Sequence, residues 1–457
     1  MVNMLRAQAL PRADRVHGRI RCVRPAAVLW LVWAGAAAVL SLWWFDTPNV
    51  SGLGDWLTGA GRITGLMAGY AVVVLIALMS RIPALDRGVG TDRLSRWHAM
   101  GGRYAVGLTV AHGLLITWGY AVTSHTNFLH QGVVLILSYP DVLAATVAGL
   151  LLLGVGMVSA RAARARLKYE TWFYLHFYTY LAVALAFSHQ FSTGADFINN
   201  LPARILWSAL YIAVGALLLW HRILTPIRQA LRHRMRVAQV YAEGPGVVSI
   251  VISGRHLEEL ATEPGQFFRW RFLTRDSWWA ANPFSLSAPA ASNSVRITVK
   301  DLGEHSHQLR YLRAGTRVVA EGPYGAFTAR LRRRRKVLLL GGGVGITPLR
   351  ALFETLEGAP GEVLMMYRAT SESDVLFRSE LDSIAAARGT RVYYAVGPRR
   401  SGNANQLSAR RLLAAVPDLA QRDIYLCGPP GMTAEAIKGL RAAGIRPRQI
   451  HHESFEQ

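Results

Sequence analysis

The amino-acid sequence predicts a multidomain membrane protein with an all-α bundle of six transmembrane helices, an antiparallel β-barrel domain and a final α/β domain. The first half contains six apolar stretches, each long enough to cross the ~30 Å hydrocarbon core of a bilayer. Past residue 236, short apolar segments alternate with Gly and Pro, and the last third alternates strand and helix patterns. Of the 457 residues, 51% are hydrophobic and 17% are charged, which is too apolar for an ordinary soluble protein.

Charge in the loops between the apolar stretches predicts their direction in the membrane. The stretches cover residues 26–45, 59–80, 98–121, 141–160, 171–190 and 203–221. Arg and Lys are concentrated in the N-terminal tail and in the loops after the second and fourth stretches, whereas residues 46–61, 119–140 and 190–203 contain neither. Because positively charged loops remain in the cytoplasm, we expect an integral protein of the cell membrane with both termini cytoplasmic. The basic first 24 residues lack the apolar core of a cleavable signal peptide.

The net charge of +23 is not expected to indicate nucleic-acid binding, because the arginines cluster in short segments between apolar runs. The run from Arg332 to Lys336 directly precedes a buried-strand pattern and is typical of a solvated junction between domains. Cys22 and Cys427 lie far apart in dissimilar contexts, so no disulfide framework is predicted.

Four histidines lie inside membrane-length apolar stretches. His98 and His112 are fourteen residues apart, and His176 and His189 are thirteen apart, which at ~1.5 Å of rise per residue is roughly 20 Å in each case. Both stretches run outward, so His98 pairs with His176 near the cytoplasmic face and His112 with His189 near the outer face. Neutral imidazoles are axial ligands of haem iron, and the sequence therefore predicts two b-type haems stacked across the bilayer. Packed histidines bonded to neighbouring helices are the alternative.

The spacing within the fifth stretch poses a geometric problem. Fourteen steps of ~100° return almost to the same face of a helix, whereas thirteen steps miss it by roughly 140°. We therefore expect a π-bulge or an overwound turn between His176 and His189. Alternatively, the helix directs its two ligands toward different sides of the bundle.

Arg62 lies just inside the outer end of the second stretch, where a charge is costly. A haem propionate, or a negatively charged acceptor or product at the outer haem, would give it a partner. Snorkelling of the side chain to the lipid headgroups is the alternative.

The strand-rich region contains a motif suited to a flavin. Its predicted strands are Val247–Ser253, Phe267–Phe272, Val295–Lys300 and Arg317–Glu321, as in a small antiparallel barrel. The motif is Asn282-Pro283-Phe284-Ser285-Leu286-Ser287, in which the aromatic ring can stack on the isoalloxazine and Ser285 can hydrogen-bond its polar edge. A turn with Lys300, Gly303 and Ser306 then leads into a helix start, where backbone N–H groups suit a pyrophosphate.

Two glycine turns predict a nucleotide domain of the Rossmann-like α/β type. An apolar strand leads into Gly341, Gly342, Gly343, Val344, Gly345, Ile346, Thr347 and Pro348. Such a strand, turn and helix start lets a dinucleotide phosphate approach the backbone closely. About ninety residues later a second strand ends in Cys427, Gly428, Pro429, Pro430 and Gly431. Structural packing is the alternative for each turn taken alone.

Together these motifs, with Glu321-Gly322-Pro323-Tyr324-Gly325, resemble the ferric reductase/NADPH oxidase superfamily from about residue 25 to the C-terminus. In that superfamily a six-helix dihaem membrane domain is fused to a ferredoxin-NADP reductase-like module. The resemblance implies haem ligation by the two histidine pairs and FAD contacts from Phe284, Ser285 and Ser306. It also implies that Cys427 lies near the nicotinamide and that Phe455 covers the flavin, although a frayed C-terminal tail is the alternative for Phe455.

Three departures from the superfamily pattern limit what the resemblance implies. Asn282 stands where His or Arg is common, so contacts to the flavin are expected to differ. No calcium-binding loop motif precedes the membrane region, so calcium activation is not expected. Ile116 stands where some oxidases have a second outer-face histidine, which weakens the case for dedicated superoxide production.

The preference for NADPH over NADH rests on arginines, because Arg is the natural bidentate partner of a 2′-phosphate. Arg368 follows a predicted strand, and Arg399 or Arg400 could add to it. Surface arginines are abundant in this sequence, so NADH remains possible.

The sequence thus predicts a basic tail at 1–24, a dihaem domain at 25–225, an FAD-binding barrel at 226–331 and an NAD(P)-binding domain at 332–457. Electrons would pass from NADPH through FAD and two haems to a small external acceptor, with O₂ giving superoxide favoured because the outer loops are short. Phe284, Cys427 and Arg62 are the candidate catalytic residues. Two alternatives stay open: a reductase of ferric chelates or another external acceptor, and a haem-free transporter or assembly partner fused to a flavin reductase.

Overall fold

The computed structural model describes residues 23–46, 50–160, 166–167, 169–398 and 405–453. They form two compact units, one covering Val23–Arg228 and the other beginning at Gln229. The basic tail up to residue 22 and three of the predicted site residues, Arg399, Arg400 and Phe455, lie outside the described residues.

The first unit is all α-helical. In chain order its helices are α1 (Pro25–Asp46), α2 (Gly52–Leu78), α3 (Pro83–Val89), α4 (Thr91–Thr123), α5 (Phe128–Ser138), α6 (Val142–Ser159), α7 (Tyr169–Ser192), α8 (Ala195–Ile198) and α9 (Leu201–Leu219). A π-helical turn, Trp220–Leu224, continues α9 into α10 (Thr225–His233).

Five segments within the described residues are long and apolar enough to cross a membrane, where the sequence predicts six. They are Pro25–Phe45, Gly52–Leu78, Arg93–Thr123, Val142–Ser159 and Leu201–His233. The fifth predicted stretch forms α7, whose 24 residues are sufficient in length. Its two histidines and its several tyrosines lower its apolar content, so the six-helix bundle is confirmed for five helices only.

Glycines on both α2 and α4 allow the two helices to lie close together. A Cβ added at Gly119 of α4 would lie 2.8 Å from the backbone nitrogen of Thr58 and 3.0 Å from the carbonyl oxygen of Gly54. A Cβ at Gly61 would lie 3.0 Å from the backbone nitrogen of Ile116. Glycines at a helix interface permit this close backbone approach in lipid, where apolar burial does not drive association.

The expected π-bulge between His176 and His189 is wrong, because α7 is uninterrupted α-helix over that interval. The side chain rather than the backbone absorbs part of the mismatch. The Nδ1–H of His189 donates to the carbonyl oxygen of Ala186, three residues earlier on the same helix, at 2.5 Å, and this bond sets the orientation of the ring. The π-helical turn occurs instead at Trp220–Leu224.

The second unit begins with two antiparallel three-stranded sheets. Its strands are β1 (Arg236–Gly244), β2 (Val247–Ser253), β3 (Phe267–Phe272), β4 (Asn282–Ser285), β5 (Ser294–Lys300) and β6 (Val318–Tyr324), and the short helix α11 (Glu304–Gln308) follows β5. The sheet orders are β1-β2-β5 and β4-β3-β6, around a shared core that includes Phe268, Trp270 and Ile297. The predicted closed barrel is not found among the described residues. Within the described part of the chain, the β-bridges between the two sheets are isolated ones, Arg236 with Arg317 and Leu286 with Ile297, and no continuous ladder joins them.

The remainder is a parallel five-stranded sheet with helices. It contains β7 (Lys336–Gly342), α12 (Ile346–Thr355), β8 (Val363–Ala369), α13 (Arg378–Ala387), β9 (Val392–Val396), α14 (Ala409–Ala415), β10 (Arg422–Cys427), α15 (Pro430–Ala442) and β11 (Ile450–Glu453). The strand order is β11-β10-β7-β8-β9, and every described pair is parallel. Strand β7 is almost entirely buried, as its continuous apolar run predicts for a strand covered on both faces. The order reverses between β7 and β10, which places a crevice at their carboxyl ends.

Arg422 at the start of β10 ties the base of this sheet together. Its guanidinium makes two hydrogen bonds to Asp418, at 2.7 and 2.9 Å, and donates to the carbonyl oxygens of Val337, Gly361 and Glu362. The residue is only 4% exposed. Removing the donor therefore takes two hydrogen bonds from the Asp418 carboxylate, which keeps Lys336 as a partner at 2.8 Å, and one from each of the three carbonyl groups.

Arg422→Met is expected to destabilise the parallel sheet by about 3 kcal/mol, because five hydrogen bonds from one buried charged group are lost together. Hydrogen exchange of the β7 and β10 amides should accelerate by about a hundredfold, at ~1.4 kcal/mol for each factor of ten. The control, Arg410→Met, changes an exposed residue of α14 and should leave these amides protected. Equal protection in both variants would contradict this role of Arg422.

Candidate functional site

The inner histidine pair lies between α4 and α7. The ring centroids of His98 and His176 are 5.8 Å apart, with an angle of 67° between the ring planes. The Nδ1–H of His98 donates to the carbonyl oxygen of Leu75 on α2 at 3.2 Å. His176 stacks on Trp172 at 5.3 Å, and its Nδ1 is buried with no hydrogen-bond partner among the described residues.

The outer pair repeats this arrangement. The ring centroids of His112 and His189 are 6.3 Å apart, at an angle of 51°. The Nδ1–H of His112 donates to the carbonyl oxygen of Gly61 at 2.7 Å. Because a carbonyl oxygen only accepts, Nδ1 carries the proton in His98, His112 and His189, and Nε2 keeps its lone pair. A hydrogen bond at one ring nitrogen that orients the other is the usual support of a metal-ligating histidine.

The surroundings of the two pairs fit a planar ligand held between the helices. α4 packs mainly on α2, and α7 packs mainly on α6, so the histidine rings face each other across the space between α4 and α7. When two imidazoles bind one metal ion from opposite sides, the ring centroids lie about 6 Å apart. This separation is the sum of two metal–nitrogen bonds of about 2 Å and the distance from each bonding nitrogen to the centre of its ring. A Cβ at Gly102, one turn beyond His98, would have no neighbour within 4 Å. The donor set and its spacing therefore fit two haems with bis-histidine ligation.

Glycine at position 65 keeps the outer histidine in place. A Cβ there would lie 2.6 Å from Nδ1 of His112, the atom that donates to Gly61. Any larger residue at 65 would push the ring away from its carbonyl partner. Neither Gly61 nor Gly65 is identified by the sequence analysis, because the approach of α2 to α4 is a tertiary feature without a local pattern.

Arg62 has a partner within the protein. Its Nε donates to Oδ2 of Asp196 at 3.3 Å, and a second hydrogen bond joins Nη2 to Oδ1. Asp196, on the short helix α8, is 3% exposed. This carboxylate is not among the partners predicted from the sequence, which were a haem propionate, a negatively charged acceptor or product, or the lipid headgroups. The available signal was that Asp196 is the single acidic residue in the stretch 190–203.

The flavin motif forms β4 and the turn after it. Phe284 is half-buried, and its carbonyl oxygen accepts the indole N–H of Trp270 at 3.0 Å. The hydroxyl of Ser285 is buried with no hydrogen-bond partner among the described residues. An orphaned hydroxyl beside a half-buried aromatic ring fits the polar edge of a flavin, since buried polar groups in native structures are normally paired.

The other residues of the motif have different environments. Asn282 is half-buried and Pro283 is exposed, whereas Leu286 belongs to the core between the sheets. Ser287 is fully buried, and its hydroxyl accepts hydrogen bonds from Arg296 and Thr298.

The predicted pyrophosphate segment is short. Lys300 is exposed at the end of β5, and Gly303 precedes α11, which has only five residues. The hydroxyl of Ser306 accepts from the N–H of Leu302 at 2.8 Å and donates to the carbonyl oxygen of Gly303 at 2.9 Å. The hydroxyl of Ser306 therefore bonds the backbone of its own turn. Ser306 lies inside the short helix, which begins at Glu304.

The two glycine turns meet at the crevice between β7 and β10. A Cβ on Gly345 would lie 2.6 Å from the carbonyl carbon and oxygen of Cys427 and from the Cα of Gly428, so only glycine lets the turns approach. Ile346, Thr347 and Pro348 form the buried first turn of α12. Tyr367, not identified from the sequence, donates its hydroxyl to the carbonyl oxygen of Gly343 at 3.2 Å. A turn of this shape at a helix start suits a dinucleotide phosphate.

Cys427 is fully buried at the end of β10, and burial raises the pKa of its thiol well above the ordinary value. The neighbouring carboxylate of Glu453, opposite Cys427 in the β10–β11 pairing, raises that pKa further. The thiol therefore stays neutral at physiological pH. Glu453 is a site residue that the sequence analysis missed, because strand pairing over 26 positions leaves no local motif.

Arg368 at the end of β8 is engaged with the backbone. Its Nη1 donates to the carbonyl oxygen of Ala395 at 3.1 Å and also bonds the carbonyl oxygen of Ala369. Arg399, the second arginine predicted for a 2′-phosphate, lies outside the described residues.

Each half of the chain contains a region that matches a known protein family. Residues 64–187 match the family described as ferric reductase like transmembrane component, and residues 339–438 match the oxidoreductase NAD-binding domain. The first match includes His98, His112 and His176, and His189 lies two residues beyond it. The predicted resemblance to the ferric reductase/NADPH oxidase superfamily is confirmed. The chain therefore combines a transmembrane region that resembles the ferric reductase transmembrane component with a region that resembles the oxidoreductase NAD-binding domain.

Individual proteins are similar over part of their length. An NADPH oxidoreductase of Mycobacterium tuberculosis is 30% identical over 239 residues, which is 50% of this chain and 62% of that protein. The electron transfer component of toluate 1,2-dioxygenase from Pseudomonas putida is 27% identical, over 50% of this chain and 68% of that protein. The flavohem-like FAD/NAD binding domain of nitric oxide dioxygenase from Vibrio cholerae is 27% identical, with a TM-score of 0.42 over 49% of this chain and 98% of that structure.

Gly345→Ala is expected to weaken the nucleotide-free fold at the crevice by about 2 kcal/mol, as overpacking against backbone does. Gly345 has φ −63°, which alanine adopts readily, so the cost is steric. The contrast is Gly428→Ala, whose Cβ would meet the flexible end of Met432 at 2.9 Å and should cost less. Hydrogen exchange of the β10 amides without nucleotide measures both variants. Similar exchange rates in the two would contradict the steric account.

Proposed function

We propose that this protein carries electrons from cytoplasmic NADPH through FAD and two b-type haems to an acceptor at the outer face of the cell membrane, with O₂ reduced to superoxide as the favoured reaction. The observation that supports it most is the pair of histidine contacts between α4 and α7, at 5.8 and 6.3 Å. A histidine packed for structure alone needs no second imidazole opposite its free nitrogen.

The topology follows from taking α7 as the sixth membrane span. Its 24 residues rise about 36 Å, enough to cross the hydrocarbon core. Six spans place both termini and the reductase on the arginine-rich, cytoplasmic side. We assign the dihaem domain to residues 25–225, the flavin domain to 226–331 and the nucleotide domain to 332–457.

His98 and His176 would hold the inner haem, and His112 and His189 the outer haem. The carbonyl oxygens of Leu75 and Gly61 on α2 fix the orientation of His98 and His112. The bound haems would supply one-electron carriers, and the protein sets their separation and their potential. Outward electron flow is assisted by a normal membrane potential, at ~2.3 kcal/mol per electron per 100 mV.

In the reductase, Phe284 and Ser285 would contact the flavin ring, and Lys300, Gly303 and Ser306 its phosphates. Bound FAD would supply the conversion between a two-electron donor and one-electron acceptors. The Gly341–Pro348 turn would hold the nucleotide phosphates, with Arg368 near the 2′-phosphate. The neutral thiol of Cys427 and the carboxylate of Glu453 would border the nicotinamide.

The acceptor decides between two versions of this function. The outer connections, 124–141 and 193–200, are short, which supports a small acceptor over a bulky ferric chelate. Arg62, held by Asp196, is our candidate for attracting a negatively charged product at the outer haem. Superoxide formation by membranes given NADPH, with and without a ferric chelate, distinguishes the two reactions. The third alternative, a haem-free transporter or assembly partner, predicts no haem at all.

Haem content tests the proposal. The purified protein should contain two b-type haems per chain, and His98→Ala or His112→Ala should each retain about one, because a single remaining imidazole holds haem weakly. The control is His130→Ala, an exposed histidine of α5 outside either pair, which should keep both haems. Absence of haem from the unaltered protein, or full content in both pair variants, would contradict the proposal.

A further inference from the structure

Arg296 and Glu380 form an ion pair that joins the flavin sheets to the nucleotide sheet. Arg296 lies on β5, and Glu380 lies on α13. Two parallel hydrogen bonds connect them, Nη1 to Oε1 at 2.7 Å and Nη2 to Oε2 at 2.8 Å. The side chain of Arg296 is 13% exposed and that of Glu380 is 31% exposed. This bidentate geometry fixes both distance and angle between the groups it joins.

On the flavin side, the same guanidinium is bonded to the flavin motif. Its Nε donates to the hydroxyl of Ser287 at 3.1 Å, and its Nη2 donates to the Ser287 carbonyl oxygen at 3.2 Å. Ser287 is fully buried and lies two residues after Ser285, the orphaned hydroxyl assigned to the flavin edge. Thr298 donates to the Ser287 hydroxyl at 2.9 Å, so Ser287 is held from two strand positions.

On the nucleotide side, Glu380 is bonded to the helix that follows the first glycine turn. Its Oε2 accepts from Nε of Arg350 at 2.8 Å. Arg350 is the fifth residue of α12, and α12 begins where the Gly341–Gly345 turn ends. A continuous chain of hydrogen bonds therefore runs from the flavin motif through Arg296 and Glu380 to Arg350, on the helix that begins where the nucleotide turn ends.

The charges along this chain are maintained. Burial alone would raise the pKa of Glu380, but hydrogen bonds and positive charge from Arg296 and Arg350 outweigh it and hold the pKa below its usual value. The aromatic ring of Phe377 lies 5.1 Å from the guanidinium carbon of Arg296 and restricts its movement. Glu380 is thus ionised throughout the physiological range and keeps both arginines in place.

We propose that Arg296 and Glu380 are positioning residues that set the approach of the nicotinamide to the flavin. The inference rests on the proposed function, in which hydride transfer takes two electrons from the dihydronicotinamide to the flavin as one C–H bond breaks and one N–H bond forms. Such transfer needs reacting atoms ≈ 3–3.5 Å apart, and a misplacement of 1 Å costs roughly a hundredfold in rate. The chain of hydrogen bonds provides a polar link between the flavin motif and the helix that follows the nucleotide turn.

The test measures flavin reduction by NADPH, in anaerobic rapid mixing, with the full-length protein in lipid nanodiscs. Arg296→Lys keeps the charge but loses the fork, and Glu380→Gln keeps the shape but loses the charge. In each, the rate constant at saturating NADPH should fall roughly ten- to a hundredfold. The half-saturating NADPH concentration and the FAD content should stay within about twofold, because the binding turns themselves are unaltered.

The matched control is Arg232 with Glu259, which also form a two-bond pair, at 3.0 and 2.6 Å, but are exposed and lie on α10 and between β2 and β3, outside the parallel sheet. Arg232→Lys and Glu259→Gln should reduce the flavin at the unaltered rate. Unchanged rates in the Arg296 and Glu380 variants, or losses of rate that only follow loss of FAD, would overturn the positioning role and leave the proposed function intact. No NADPH-dependent flavin reduction in the unaltered protein would instead overturn the proposed function itself.

Discussion

The pairing of two imidazoles across the space between α4 and α7, repeated about 20 Å further along both helices, is the constraint on which the membrane half depends. It requires each helix to carry two histidines at nearly equal axial separation. It also requires support behind the rings. For α4 this support is the carbonyl oxygens of α2, which come within reach because glycines allow the two helices to approach closely.

A second constraint acts in the reductase half, where the two antiparallel sheets and the parallel sheet must bring the proposed flavin and nucleotide together. The parallel sheet reverses its order between β7 and β10, and the turns after these strands approach so closely that only glycine fits at position 345. The flavin motif lies on the other sheet pair, and polar contacts through Arg296 connect it to the nucleotide side. The chemistry belongs to the cofactors, and the protein contributes distance and orientation.

Much of this arrangement could be predicted from local pattern. The strands Val247–Ser253 and Phe267–Phe272 begin and end where the sequence indicates, because alternation and turn residues are local signals. The histidine pairing also follows from spacing and loop charge. The apolar content of α7 is low because the helix contains histidines and tyrosines. Its two histidines are the predicted haem ligands, so the residues that weaken the membrane-span signal are the ones that indicate function.

What could not be predicted depends on contacts between distant segments. The Arg62–Asp196 pair joins residues 134 positions apart, and Glu453 reaches Cys427 only through strand pairing. Two sheets close into a barrel only if a continuous ladder of backbone hydrogen bonds joins their edge strands. The alternation of apolar and polar residues does not indicate whether such a ladder forms. The backbone between His176 and His189 could not be predicted either, because the orientation of the His189 side chain, bonded to the Ala186 carbonyl oxygen, absorbs part of the mismatch without a bulge.

The most direct test of electron transfer from nucleotide to haem is an anaerobic absorbance spectrum of the purified, full-length protein during addition of NADPH. The account predicts that flavin absorbance falls and that reduced b-type haem bands appear in the same sample, without any added mediator. A flavin that is bleached while no haem band appears, or haem that stays oxidised beside a reduced flavin, would contradict it.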